Sequence, residues 1–376
     1  MTRPVNVAAL ATVLALLTGC TTLPAAMPAL RLVGMQQLAP DLRVDGTLVG
    51  GISGIDDDAR ASEWVLASDD RGQHAPARVY RARIAFDANA VQPVMVKGVA
   101  LLRQADGSLY PAWGQPGVPA DIESLRVDPA DASIWYASEG ERKAQVPSFV
   151  RRAGADGRHL GELPYPAALQ IQPACECGGR SNLGMEGMSF TSDGRQLWLA
   201  MEAPLVQDGP VPAPGQGALS RITLVERDGR VAAQYTYPLD AAPQPAFDGA
   251  FVDNGISEIL AIDAQRLLVL ERAGRQIEGK HLGFSVRLYE VDLSQASRID
   301  PDLPLTKAQP ALRPAVKRLL FDTAQLPADW VDNYEAMAWG PPLAGGRRTL
   351  VIASDNNFNG GPTRFLVFDA GPAGQP

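Results

Sequence analysis

Along this chain, apolar and polar positions alternate in short bursts separated by glycine, proline, aspartate and serine, the pattern of strands joined by tight turns. The stretch Gly184 to Glu202, GMEGMSFTSDGRQLWLAME, predicts a β-hairpin. Its first strand carries Met185, Glu186, Met188 and Phe190, Ser192-Asp193-Gly194 turns the chain, and Leu197 to Met201 returns to end on Glu202. The same unit starts at Gly51, Asp121, Gly255 and Asn333. Each copy opens on a four-residue phrase: Ile-Ser-Gly-Ile, Ile-Glu-Ser-Leu, Met-Glu-Gly-Met, Ile-Ser-Glu-Ile and Tyr-Glu-Ala-Met. Its second place is held by Ser53, Glu123, Glu186, Ser257 and Glu335, and a second acid closes each hairpin: Asp69, Glu139, Glu202, Glu271 and Asp355.

Two further strands follow each of the first four hairpins, as in Arg78–Phe86 and Pro93–Leu102 after the first. The fifth hairpin has only one, Thr363–Phe368, before the chain ends. Four strands per repeat, with an incomplete last repeat and a lone strand at Leu30–Leu38 (LRLVGMQQL), predicts an all-β propeller of five blades. The N-terminal strand would then complete the last blade. The copies recur at longer intervals than the ~40–45 residues of a minimal blade, so loops carry the excess. A sixth blade hidden within residues 280–330 is the alternative.

Composition adds three constraints. The chain has 376 residues, 46% of them hydrophobic and 20% charged, enough for a large core. Its net charge of −8 disfavours nucleic acid and anionic membrane surfaces as partners, which want clustered Lys and Arg. Arg3, the apolar run Val5–Leu17 and Leu17-Thr18-Gly19-Cys20 predict an exported protein with a lipoprotein-type signal (1–19) and Cys20 lipidated. An ordinary signal peptide is the alternative, and 20–29 forms a tether before a domain at 30–376. The expected location is therefore a membrane facing the periplasm or the cell exterior, reached only through the lipid anchor. In such a compartment Cys175 and Cys177 read as a local disulfide rather than a metal pair, since His74, His159 and His281 are all distant in sequence.

In a propeller the first strand of each blade lines the central channel. The start of that strand and the end of its antiparallel partner then share one mouth. Ser53, Glu123, Glu186, Ser257 and Glu335 are thus expected to ring that mouth, with Asp69, Glu271 and Asp355 nearby as outer ligands or a second site. Converging carboxylates repel one another, and a hard divalent cation with oxygen ligands, Ca²⁺, resolves the conflict. Cations beside the acids, Arg71, Arg78 and Arg142, are candidates to steady phosphate oxygens, with Glu139 and Glu202 as candidate catalytic carboxylates. No P-loop, G-x-G-x-x-G or G-x-S-x-G motif is present.

The segments GISGID…WVLASDDRG…RVYRARI, DIESLRVDP…YASEGER, GMEGMSF…LWLAMEAP and DNYEAMAWGPP…ASDNNFNGGPTRFLVFD resemble the phytase-like ("esterase-like activity of phytase") family of exported bacterial proteins. The resemblance covers roughly Leu30 to Asp369 and implies a β-propeller with phosphoester chemistry. The order Ser, Glu, Glu, Ser, Glu of the phrase ring is also similar to the ring holding Ca²⁺ in five-bladed calcium-activated nucleotidases. The expected function is a Ca²⁺-dependent phosphoesterase acting on a small phosphorylated substrate through metal-bound water. The alternatives are a non-catalytic binding propeller with a structural Ca²⁺ and a carboxylester hydrolase.

Overall fold

A computed structural model describes residues 26–172, 174–279, 281–306 and 312–372. Twenty of its strands form five four-stranded antiparallel sheets. Blade 1 comprises Ile52–Asp58, Glu63–Ser68, Arg78–Arg83 and Met95–Leu101. Blade 2 comprises Ile122–Val127, Ile134–Ser138, Phe149–Ala153 and His159–Leu163. Blade 3 comprises Met185–Phe190, Gln196–Met201, Ala218–Glu226 and Val231–Leu239. Blade 4 comprises Gly255–Ala261, Arg266–Glu278, His281–Asp292 and Val316–Asp322. Blade 5 takes Tyr334–Leu343, Arg347–Ser354 and Thr363–Pro372 from the C-terminal end and Arg31–Leu38 from the N-terminal end. Successive first strands touch in cyclic order, and that of blade 5 returns to that of blade 1. The ring is closed at five blades. The segment where a sixth could have hidden supplies the outer strands of blade 4. The lipobox Cys20 lies outside the described residues.

Closure is a strand pairing. Arg31–Leu38 runs antiparallel to Thr363–Pro372, from Arg31 opposite Asp369 to Leu38 opposite Thr363, and so covers an edge that would otherwise present free N–H and C=O groups. Beside it, Asp369 is held by Arg31 and Arg347.

The second strand of each blade is apolar on both faces because each face meets a different neighbour. In blade 1, Trp64 and Leu66 pack towards blade 5 with Val351 and Phe365, while Val65 and Ala67 pack towards blade 2 with Ile134 and Tyr136. The same alternation repeats around the ring and yields five inter-blade cores rather than one central core. The hub between the first strands is tight. A Cβ placed on Gly54 would come 2.7 Å from the Leu125 nitrogen, so the third place of the phrase takes small residues in four of five copies. The exception, Glu258, fills the space that Gly54, Ser124 and Gly187 leave. It accepts from Arg126 (2.9 Å), the Ser124 hydroxyl, Met188 N–H and Ile259 N–H.

Candidate functional site

Every first strand is interrupted at the same place. The register slips between Ile52 and Gly54, Ile122 and Ser124, Met185 and Gly187, Ile256 and Glu258, and Tyr334 and Ala336. The extra residue is in each case the second of the phrase. A β-bulge leaves its extra residue unpaired and re-aims its side chain. This is why Glu123 turns to the channel mouth while Leu125, two places on, remains fully buried in the core between blades 1 and 2.

The bulge delivers three glutamates to one cavity of about 440 Å³, lined by Glu123, Glu186 and Glu335 together with Asp69, Glu139 and Asp355 from the hairpin ends. The two serines do not join them. Ser53 is fully buried and donates to the Ile122 carbonyl at 2.5 Å, and the Ser257 hydroxyl lies 3.4 and 3.5 Å from the Leu270 and Tyr334 carbonyls. In blades 1 and 4 the phrase position therefore ties the first strand to backbone instead of offering a ligand to the cavity.

The hairpin-end ring also needs one correction. Asp69, Glu139, Glu202 and Asp355 each donate their backbone N–H to the residue two places before the phrase position: Gly51, Asp121, Gly184 and Asn333. In blade 4 the residue opposite Gly255 is Arg272, not Glu271. Glu271 sits one place earlier, opposite Ile256, and faces outward, where it accepts from Tyr237 Oη (2.5 Å), Asn254 Nδ2 (2.8 Å) and Lys317. The ring thus reads Asp, Glu, Glu, Arg, Asp. Arg272 is its internal counter-charge, 2.9 Å from Glu202, 3.2 Å from Glu335 and 3.5 Å from Asp253. A Cβ on Gly255 would meet Glu202 Cγ at 2.4 Å, so glycine is required for that acid to take its place.

Of the three arginines expected near the substrate, the structure brings only Arg71 to the cavity. It lies 2.9 Å from Asp121 and 3.9 Å from Glu139, and donates to Asn182 Oδ1 at 2.8 Å. Arg78 is fully buried away from the mouth, paired with Asp70 at 2.7 Å and donating to Tyr80 Oη and the Leu48 carbonyl. Arg142 spends its guanidinium on the carbonyls of Gln172, Cys175, Cys177 and Gly179. It braces the loop in which Cys175 and Cys177 form a disulfide.

The densest cluster contains one acid the repeat did not flag. Oxygens of Asp121, Glu123 and Glu139 lie within 4.8 Å of one another, as do those of Glu139, Glu186 and Glu202. Asp121 is the one acid at the place two before the phrase, where the other copies have glycine or asparagine. That place, aligned across the five copies, is the signal that would have found it. Both its carboxylate oxygens are buried, with the Arg71 guanidinium 2.9 Å from one of them. No N–H group among the described residues donates to Glu123 or Glu186, whereas Glu139 accepts one from Gly184 at 3.0 Å.

Such packing raises the proton affinity of the acids. Burial, then the charges of Glu186, Asp121 and Glu139, raises Glu123 well above the usual carboxylate range. Burial followed by Glu202 and Glu139 does the same for Glu186, and burial followed by Asp121 and Glu202 for Glu139. Burial pushes Asp69 up to about 8, with Glu335 and Asp121 adding repulsion. Glu202 is pushed up to about 7, burial outweighing the pull of Arg272. Burial also raises Asp355, next to Asp69 and Glu335, and raises Glu335 against the opposing charge of Arg272.

These residues fit a hard divalent cation. The donors are all oxygen, their number meets the six to eight that Ca²⁺ takes once waters are counted, and the single guanidinium of Arg71 beside Asp121 leaves most of the cluster's charge uncompensated. A soft-ligand metal is disfavoured, because among the described residues no histidine or cysteine lines the cavity.

Fold and site together define a five-bladed β-propeller whose channel mouth is built from buried carboxylates. The sequence profile of the phytase-like family, described as "Esterase-like activity of phytase", matches residues 47–358, and the chain belongs to that family. A comparison with curated proteins finds no match. Among solved structures, the chain is similar to Kuenenia stuttgartiensis hydrazine synthase (12% identity, TM-score 0.38, covering 84% of this chain and 80% of that one). It is also similar to the Dos1 propeller (7%, 0.31, 85% and 67%) and to the N-terminal domain of Nup159 (8%, 0.31, 92% and 96%).

Proposed function

We propose that this protein is a Ca²⁺-dependent phosphoesterase. The observation that carries the proposal is the group Asp121, Glu123, Glu139, Glu186 and Glu202, five buried carboxylates gathered at one channel mouth and compensated, among the described residues, only by Arg71, Arg272 and the Gly184 N–H. These five would hold the cation, which when bound supplies Lewis acidity and the positive charge an anionic ester needs in an acid-lined cavity. Arg71 lies against Asp121 and Arg272 against Glu202, so two guanidiniums border the group and can orient phosphoryl oxygens. The family membership supports an esterase-like hydrolase, and the absence of an activated serine in the phrase ring favours phosphoester over carboxylester cleavage. Ser53 and Ser257 are engaged with backbone carbonyls, and among the described residues no histidine lines the cavity to take a proton from either.

Hydrolysis of 4-nitrophenyl phosphate by chelator-stripped protein, with and without added Ca²⁺, tests the activity. Turnover that requires Ca²⁺ and falls at least tenfold in Glu186→Gln is the expected result. Ca²⁺ binding without turnover of phosphate or carboxylate esters would make the protein a ligand-binding propeller instead. The proposal includes export with a lipid anchor at Cys20, on the strength of the Leu-Thr-Gly-Cys motif. Cys20→Ala should then release the protein from the membrane fraction.

A further inference from the structure

Blade 4 is built unlike the others. Elsewhere the second strand stops at the channel mouth, at Ser68, Ser138, Met201 and Ser354; in blade 4 it runs past Arg272 to Glu278 and pairs throughout with His281–Asp292. The overhang of six residues rises roughly 20 Å at the usual ~3.3 Å per residue. Its free edge is taken by the preceding loop, where Gln276 N–H donates to the Phe251 carbonyl at 2.8 Å, Val252 bridges Arg275 and Asp253 N–H donates to Gly274. The result is a wall standing on one side of the acid cluster.

That wall is apolar towards the cavity. Leu282 and Phe284, two apart on one strand and so on one face, line it together with Phe251 from the loop and Val211 from the insert of blade 3. Phe251 is 51% exposed, Leu282 40% and Val211 37%, so three of the molecule's exposed large hydrophobic side chains gather around one polar floor. Scattered exposed hydrophobics are ordinary, but a contiguous set from two blades on the rim of a charged cavity is a ligand surface.

We infer that the substrate is amphiphilic, a phosphoester whose esterified group is an alkyl or aryl chain lying on Phe251, Leu282 and Phe284 while its anionic head reaches the acid-bound cation. The inference rests on the phosphoesterase proposal for the head group and adds the identity of the tail. A polyhydroxylated, multiply phosphorylated substrate would gain nothing from such a wall and would face the repulsion of the remaining acids. Discrimination along a chain follows from burial: a methylene fully removed from water is worth about fourfold in affinity, and one covered on a single side about twofold.

The test uses n-alkyl compounds, whose leaving groups have nearly the same acidity, so chain length reports contact and not reactivity. Calorimetric titration of the Ca²⁺-loaded full-length protein with ethylphosphonate and hexylphosphonate should show hexyl binding about sixteenfold tighter, about twofold for each of the four added methylenes. Phe251→Ser with Leu282→Ser should remove most of that preference, hexylphosphonate losing far more affinity than ethylphosphonate. Hydrolysis of ethyl and hexyl phosphate should show the same preference, expressed in KM. Equal affinity for the two phosphonates, or a preference that survives the double substitution, overturns the wall while leaving the head-group proposal standing. Tight hexylphosphonate binding with no hydrolysis of either ester overturns the catalytic proposal and leaves the wall. Absence of binding to either phosphonate in the presence of Ca²⁺ overturns both.

Discussion

Two sets of buried carboxylates lie on the same first strands, one at the hub and one at the mouth, and they are treated in opposite ways. Glu258 at the hub is fully buried and completely satisfied, with a guanidinium, a hydroxyl and two backbone N–H groups directed at its oxygens. Glu123 and Glu186 at the mouth are also buried, yet no N–H donates to them among the described residues, and buried Asp121 has only the Arg71 guanidinium beside it. A carboxylate kept for packing is given donors, because an unpaired buried charge costs several kcal/mol. Where one strand satisfies its acid and its neighbour leaves several short of donors together, the proposed partner is a cation from solution.

The largest effect should come from breaking the satisfied set. Arg126→Met leaves Glu258 buried without its cation, with Arg126 itself only 2% exposed, and is expected to cost about 3–5 kcal/mol in urea unfolding. Adding Glu258→Leu should recover most of that loss. If the single substitution is tolerated within about 1 kcal/mol, the hub pair is not the structural element described here.

At the mouth the sign should reverse. In chelator, Glu186→Gln removes one of several repelling charges and should leave stability unchanged or raise it. In Ca²⁺ at a hundred times the dissociation constant it should forfeit most of the ligand's stabilisation, about 2.7 kcal/mol. Arg272→Gln is a smaller perturbation because the guanidinium is partly exposed. It should still destabilise the protein in chelator, and Ca²⁺ should restore part of the loss if the cation takes over charge compensation for Glu202.

The pH dependence separates the two sets more finely. Asp69 and Glu202 have folded pKa values of about 8 and about 7, above those of an unfolded chain, so the native state binds protons more tightly than the unfolded one. Stability of the metal-free protein should fall as pH rises from about 4 to about 8. Bound Ca²⁺ should flatten the part owed to the mouth. Glu258, raised to about 8 chiefly by burial, keeps its share of the slope with or without metal. Identical melting profiles in pH with and without Ca²⁺ would deny the mouth its distinct role.

The sequence made the ring legible because the repeat unit and its turns are local. The strand, turn, strand phrase recurs five times, and the apolar Arg31–Leu38 segment had no partner except the incomplete last blade. What it concealed was register. A bulge at the phrase position is a non-local property of pairing; it re-aims all five side chains, and the short hydroxyls of Ser53 and Ser257 meet backbone carbonyls while the longer Glu123, Glu186 and Glu335 reach the cavity. Counting forward to the next acid chose Glu271, although the pairing of Gly255 puts Arg272 at the mouth. Arg78 and Arg142 stand near acids in the sequence, but the partners that claim them are Asp70 and a disulfide loop, which only the fold brings into contact. Asp121 was visible as a letter, and its meaning came from the four copies that lack it.

The most direct measurement is the melting temperature of chelator-stripped protein as Ca²⁺ is titrated, for wild type, Glu186→Gln and Arg126→Met. A saturable rise in wild type, lost in Glu186→Gln and retained in the destabilised Arg126→Met, is the predicted result. A wild-type melting temperature that does not respond to Ca²⁺ would contradict the claim that the carboxylates at the mouth are assembled to hold a cation.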